Sequence, residues 1–240
     1  MERGRSELER RDFLKKLLAM GVVGSASASM LTRQVLAMGE GGQLLEGVRK
    51  VQGSVMINGA PAQVNTIVYP GDVITTGSAS HGVFVIGKDA FLVRENSRVE
   101  LAGEKIGQQP GATKITKTIK VAAGKVLSVF AKGEKRIETT NAVAGVRGSA
   151  LYVEAETDIT YFCLCYGEAE LSSLLYPSAR QTIVTKHHDY PMYILAKCAG
   201  KPFLKAPVIN HTDVELTMLE ALVSRKPPFA ADGGLPTKAY

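Results

Sequence analysis

The chain contains no tryptophan, 6% aromatic residues, three cysteines and four histidines among its 240 residues. Each shortage removes a class of function. A single-strand nucleic-acid binder needs aromatic side chains interleaved with a basic patch, and no such patch is present. The histidines, at positions 81, 187, 188 and 211, form no H-E-x-x-H, and G-x-S-x-G is also missing, so the common hydrolase signatures are absent. Without C-x-x-C-H, covalent c-type haem is excluded. The apolar run Leu17 to Leu31 holds about fifteen apolar or small residues, short of the roughly twenty that span a bilayer.

Charge is unevenly placed. Lys and Arg total 29 against 23 Asp and Glu, but residues 1–37 hold seven against four, leaving 22 against 19 for the rest. The body is only mildly basic, so nucleic acid is not an expected partner.

What the sequence does have is turn chemistry. Twenty-four glycines and ten prolines punctuate short alternating apolar segments every eight to twelve residues, the spacing of a β-sandwich or barrel. Asn58-Gly59 is a strong hairpin signal, because both turn residues need positive φ. Pro70-Gly71-Asp72, Gly77 and Lys88-Asp89 mark further breaks, with strands expected near 81–87, 90–94 and 98–101. Gln108 to Lys120 reads as a polar hinge entering a basic strand. Ala150–Ala155 and Ile159–Cys165 read as partners across Glu156-Thr157-Asp158. Near the end the period changes: Thr212 and Glu215 form a capping box, Val214, Leu216, Leu219, Leu222 and Val223 recur at helical spacing, and Pro227-Pro228 stop the helix. The expected fold is therefore all-β, a sandwich or barrel of short antiparallel strands with one C-terminal amphipathic helix. An apolar stripe of this kind is expected to pack on its own domain, with an exposed handle for a protein partner as the alternative.

The beginning of the chain has its own signature. Arg10, Arg11, Phe13, Leu14 and Lys15 precede the apolar run, and Arg33 follows it. This segment resembles twin-arginine (Tat) export signals, with Glu9 where the motif has Ser or Thr. Small residues at Ala26–Ala28 and Val35–Ala37 offer two cleavage points. The resemblance implies export of the folded protein to the periplasm, with a membrane tether only if the signal stays uncleaved.

A second resemblance lies in the body. Thr139, Thr140, Ala142, Val143, Gly145, Val146, Arg147 and Gly148, followed by Ser149, resemble the hallmark segment of the FecR domain. "VYPGDVITTGSAS" fits its upstream Gly-Asp-x-Ile-x-Thr-Gly turn and "GKVLSVFAKG" the strand between. The resemblance covers residues 44–175 and implies a β-rich periplasmic module. It divides the chain into an export signal (1–37), a FecR-like β domain (38–200) and a helical appendage (201–240). Arg147, between Gly145 and Gly148, could offer a guanidinium fork to a carboxylate ligand or make an internal ion pair.

Cysteine and histidine supply the remaining chemistry. If Tyr161–Cys165 is a strand, its period of two puts Cys163 and Cys165 on one face. With His187 and His188, two thiols and two imidazoles would satisfy a tetrahedral zinc ion or another transition metal by count. Adjacent histidines on extended chain face opposite ways, so one of the two is expected to join. A disulfide from Cys198 to one of the pair, or buried free thiols, are the alternatives. The function expected is an exported, non-catalytic FecR-domain module that binds, senses or scaffolds. The alternatives are a periplasmic metal-binding or redox protein, and an envelope signalling regulator with a protein partner.

Overall fold

The alternating segments do form strands, and three of them run much farther than the sequence pattern suggested. The structure, a computed structural model, describes residues 46–105 and 114–230. The export-signal residues Arg10, Arg11, Phe13, Leu14 and Lys15, and residues 108–113 of the polar hinge, lie outside the described residues.

The strands are β1 (Gly47–Gln52), β2 (Val55–Ile57), β3 (Ala60–Pro61), β4 (Val73–Thr76), β5 (His81–Ile86), β6 (Asp89–Val93), β7 (Arg98–Lys105) and β8 (Lys114–Val129). They continue with β9 (Glu134–Glu138), β10 (Ala142–Ala155), β11 (Ile159–Ser173), β12 (Arg180–Thr185), β13 (Met192–Leu195) and β14 (Phe203–Lys205), then helix α1 (Asp213–Leu222). All ladders are antiparallel except β8 with β9, which pair in parallel over residues 118–120 and 136–138. The Asn58-Gly59 turn between β2 and β3 is as expected, with φ of 51° and 81°. Asn58 fixes its neighbours too: its Oδ1 accepts from Val73 N–H at 2.9 Å and its Nδ2 donates to Asp72 Oδ1 at 2.8 Å.

The long strands β8, β10 and β11 each serve two layers. Residues 143–147 of β10 pair with β9, whereas 150–155 pair with residues 124–129 of β8. Likewise β11 gives residues 167–172 to β12 and residues 159–162 to β13. The bends fall at Gly124 (φ 90°), Gly148 (φ 56°) and Gly167 (φ 100°). A Cβ at Gly124 would lie 2.4 Å from Ser97 Cα, and one at Gly167 would lie 2.3 Å from Ser149 Oγ, so both positive φ and close approach require glycine. The sheet thus folds over itself into a sandwich whose strands turn the corner from one layer to the other.

The second layer, made of β1, β5, β6, residues 124–129 of β8, 150–155 of β10, 159–166 of β11, and β13, is buried on both faces at β5 and β6. In β5 and β6, Phe84, Ile86, Phe91 and Val93 enter the core between the layers, while Val83, Val85, Ala90 and Leu92 point outward. Both strands therefore read as continuous apolar runs rather than alternations. The outward residues are covered by α1 through Leu216, Met218, Leu219 and Leu222, and each such aliphatic side chain contributes about 1.5–3 kcal/mol when fully buried. Both halves of the capping box form, with Thr212 accepting from Glu215 N–H and the Glu215 side chain accepting from Thr212 N–H. The helix stops before the prolines. Arg225 N–H bonds Glu220 C=O, Ser224 N–H bonds Ala221 C=O, and Ser224 takes φ 59°, the left-handed helix stop usually given to glycine.

Candidate metal centre

β11 begins by alternating between the two cores. Phe162 and Leu164 point into the sandwich, whereas Tyr161, Cys163 and Cys165 point to the outer face beneath the helix. Period two therefore sets both sulfurs on one face, as the sequence implied. Of the three cysteines none is in a disulfide. Cys198 lies elsewhere, where its carbonyl accepts a hydrogen bond from Tyr176 OH at 2.6 Å.

The turn after β12 brings the histidines. Asp189 closes it, accepting from Thr185 Oγ1 at 2.6 Å and Lys186 N–H at 3.0 Å, and those bonds lower its pKa. His188 takes φ 53° and its N–H bonds Cys165 C=O at 3.0 Å. That local twist, absent from an extended chain, sends His188 into the cysteines. His187 does not join them: it stacks on Phe229 at 4.5 Å and reaches Asp213 instead.

The fourth member is His211, which the sequence reading did not include. It sits directly before the N-cap of α1 and stacks on Tyr152 at 4.6 Å. Its position at a helix start was legible. Nothing local indicated that this helix docks on the face carrying the sulfurs.

Cys163, Cys165, His188 and His211 place one donor atom each within 4.8 Å of one another. Cys163 Sγ is 3.4 Å from His188 Nδ1, and His188 Nδ1 is 3.1 Å from His211 Nε2. Bonds of about 2.3 Å to sulfur and 2.0–2.1 Å to nitrogen place tetrahedral donors roughly 3.3–3.8 Å apart, so the cluster needs adjustments of well under an ångström to about one. The four are 0%, 0%, 5% and 0% exposed, which matches closed structural sites rather than catalytic ones with an open position.

The outer nitrogens fix the tautomers. His188 Nε2 lies 3.1 Å from Asp213 Oδ1, and His211 Nδ1 lies 2.7 Å from Ile209 C=O. A carboxylate and a carbonyl can only accept, so both of these nitrogens donate. Hence His188 Nδ1 and His211 Nε2 turn toward each other and toward Cys163 Sγ. Asp213 and the Ile209 carbonyl are the outer partners that orient metal-bound imidazoles.

Electrostatics agrees with this geometry. The adjacent Cys165 thiol, with the bonds from His188 and His211, outweighs burial and holds Cys163 far below the usual thiol range. Burial pushes Cys165 well up, so one thiolate belongs to the pair. Burial also opposes charge on His188, but Asp213 and Cys163 together raise it to about 9. At Asp213 burial is outweighed by the two histidines, which lower it. Cys163, His188 and Asp213 do stand in the order of a thiol nucleophile, base and orienting acid. At 0% exposure, Cys163 offers a substrate no approach.

Residues 139–149 run from the β9–β10 turn into β10. Arg147 pairs with Glu134 at 2.9 Å with both side chains exposed, 69% and 79%, a pair worth at most about 1 kcal/mol. Gly148 forms the corner of β10, and Gly145 lies on the strand with open space around it. Thr139 Oγ1 accepts from Ala142 N–H at 3.0 Å and closes the turn from β9 to β10.

No protein-family model matches the chain, and no curated protein matches it. Two crystal structures of a candidate anti-sigma factor from Parabacteroides distasonis are similar to it at 12% identity and a TM-score of 0.42, over 56% of this chain and 58% of theirs. The match thus spans little more than half of either chain.

Proposed function

We propose that this chain is an exported, non-catalytic envelope module whose FecR-like β body holds a closed Cys2His2 transition-metal centre formed by Cys163, Cys165, His188 and His211. The observation that carries this reading is the pair of inward imidazole nitrogens 3.1 Å apart, each with its other nitrogen committed to an acceptor. Once an ion displaces the proton that His188 holds, two imidazole lone pairs and a thiolate converge on it, and buried S2N2 donors suit zinc above the hard ions. Convergence of all four donors within 4.8 Å fits one ion rather than a cluster of irons.

The export half of the reading rests on Arg10, Arg11, Phe13, Leu14 and Lys15. It is compatible with the centre, because folded export permits an ion to be inserted before the chain leaves the cytosol. In this setting the module senses or scaffolds through a protein partner of the envelope.

Metal analysis of the full chain, purified without chelator, tests the centre. One equivalent of zinc or another transition metal per chain is expected, lost in Cys163→Ser and His211→Ala and kept in Cys198→Ser. A metal-free wild-type chain that also takes up no added zinc overturns the reading.

A further inference from the structure

The donors come from parts of the fold with very different attachments. Cys163 and Cys165 belong to β11, laddered along its length by β10. His211 belongs to the strap between β14 and α1. Over 206–211, the bonds to the sheet are those of Ala206 N–H to Pro191 C=O, Tyr161 OH with Pro207 C=O and Ile209 N–H, and Asn210 Nδ2 to Glu154. One residue past the N-cap, Asp213 receives His187 and His188. Any ion held by the four donors therefore ties the start of α1 to the centre of the second layer.

Helix α1 depends on being docked. It has 10 residues, below the roughly 12–15 at which an isolated helix becomes even marginally stable in water, so its helicity is conditional on docking. It carries no backbone ladder to the sheet. Its polar fastenings include Arg94 with Glu215 at 2.7 Å, Tyr166 OH with Glu220, and Glu220 through Arg225 to Lys88 C=O. Val83, Val85, Leu92, Leu127 and Tyr152 share one buried apolar cluster with Leu216, Met218, Leu219 and Leu222.

We infer that the Cys2His2 centre is a latch whose occupancy controls release of the 206–223 segment from the outer face of the second layer. The inference rests on the proposed metal reading and adds regulation to it. His211 reaches the other donors only when the helix is docked, so the ion binds that state better and shifts the population toward it. The coupling is reciprocal: whatever lifts α1 weakens the ion's hold by the same factor. Loss of metal is thereby converted into exposure of an apolar sheet face, a change a neighbouring protein can read.

Hydrogen exchange on the full chain, metal-loaded and after chelation, tests the latch, with metal content assayed in both samples. The expected result is a tenfold or greater loss of protection confined to residues 206–223 and the 186–191 turn, while β5, β6, β8 and β10 keep theirs. Verified metal loss with unchanged protection of α1 overturns the latch and leaves the centre standing. Protection lost equally across all strands also overturns it, because the ion would then be holding the whole domain. A wild-type chain that binds no metal fails at the earlier step and is recognised as such by the assay. Leu219→Asp supplies the reciprocal arm: it is expected to undock α1 and lower zinc affinity at least tenfold with the strands still protected. Unchanged zinc affinity in an undocked Leu219→Asp chain would contradict the coupling.

Discussion

His188 Nδ1 and His211 Nε2 face each other across 3.1 Å although 23 positions separate them in the chain. Neither residue could be turned to relieve this without breaking its outer hydrogen bond, to Asp213 in one case and to Ile209 C=O in the other. The arrangement is set by helix docking on one side and by the twisted turn after β12 on the other.

Thiol chemistry distinguishes the cysteines. In the native, reduced protein, Cys198 is partly exposed whereas Cys163 and Cys165 are buried. One thiol per chain should react promptly with Ellman's reagent, and three after denaturation with chelator. Prompt reaction of all three would show the centre to be open.

The proposed export predicts a dependence on the arginine pair. Replacing Arg10 and Arg11 by Lys should leave the protein in the cytosol, as seen by fractionation and blotting. Unimpeded appearance in the periplasm would remove the twin-arginine reading without touching the metal centre.

His81 should make the fold acid-sensitive in a defined window. Its Nε2 is buried with no hydrogen-bond partner among the described residues, and burial, then Lys50 and Arg94, lower its pKa to about 4. The unfolded chain takes up this proton near pH 6.5 and the folded one only near 4. The contribution is therefore whole above about 6.5 and is lost as pH falls toward 4. Urea midpoints at pH 7 and pH 4.5 should fall less for His81→Gln than for wild type.

The ion pair of Asp89 with Lys135, at 2.7 Å and with side chains 5% and 8% exposed, joins β6 to β9. Asp89 also accepts from Ala131 N–H at 2.9 Å. Asp89→Ala should cost about 3–5 kcal/mol because it removes one partner of a buried ion pair. Adding Lys135→Met should restore most of that loss in chemical denaturation.

The corner glycines and the motif glycine should behave differently. Gly167→Ala places a Cβ 2.3 Å from the buried Ser149 Oγ at φ 100°, and should cost more than about 1 kcal/mol. Gly145→Ala meets nothing within 4 Å, and should stay within about 0.5 kcal/mol. Thermal melts of the two variants check this.

Much of the fold was legible because its signals are local. The Asn58-Gly59 turn, the Thr212–Glu215 capping box and the shared face of Cys163 and Cys165 each follow from residues a few positions apart. The long strands were not, since a glycine inside an apolar run reads equally as a break or as a bend. Gly124, Gly148 and Gly167 bend strands that continue on the far side. The site was half legible for the same reason. Period two gives the sulfurs. The choice of His188 over His187 depends on one residue's left-handed backbone, and His211 depends on where a helix lands.

Because β8, β10 and β11 each belong to both layers, no cut through the sandwich avoids severing a strand. The two layers share covalent backbone at three corners. Heat or denaturant should meet the β body as a single cooperative unit. Helix α1 shares no strand with that body, and the proposed latch gives it an equilibrium of its own.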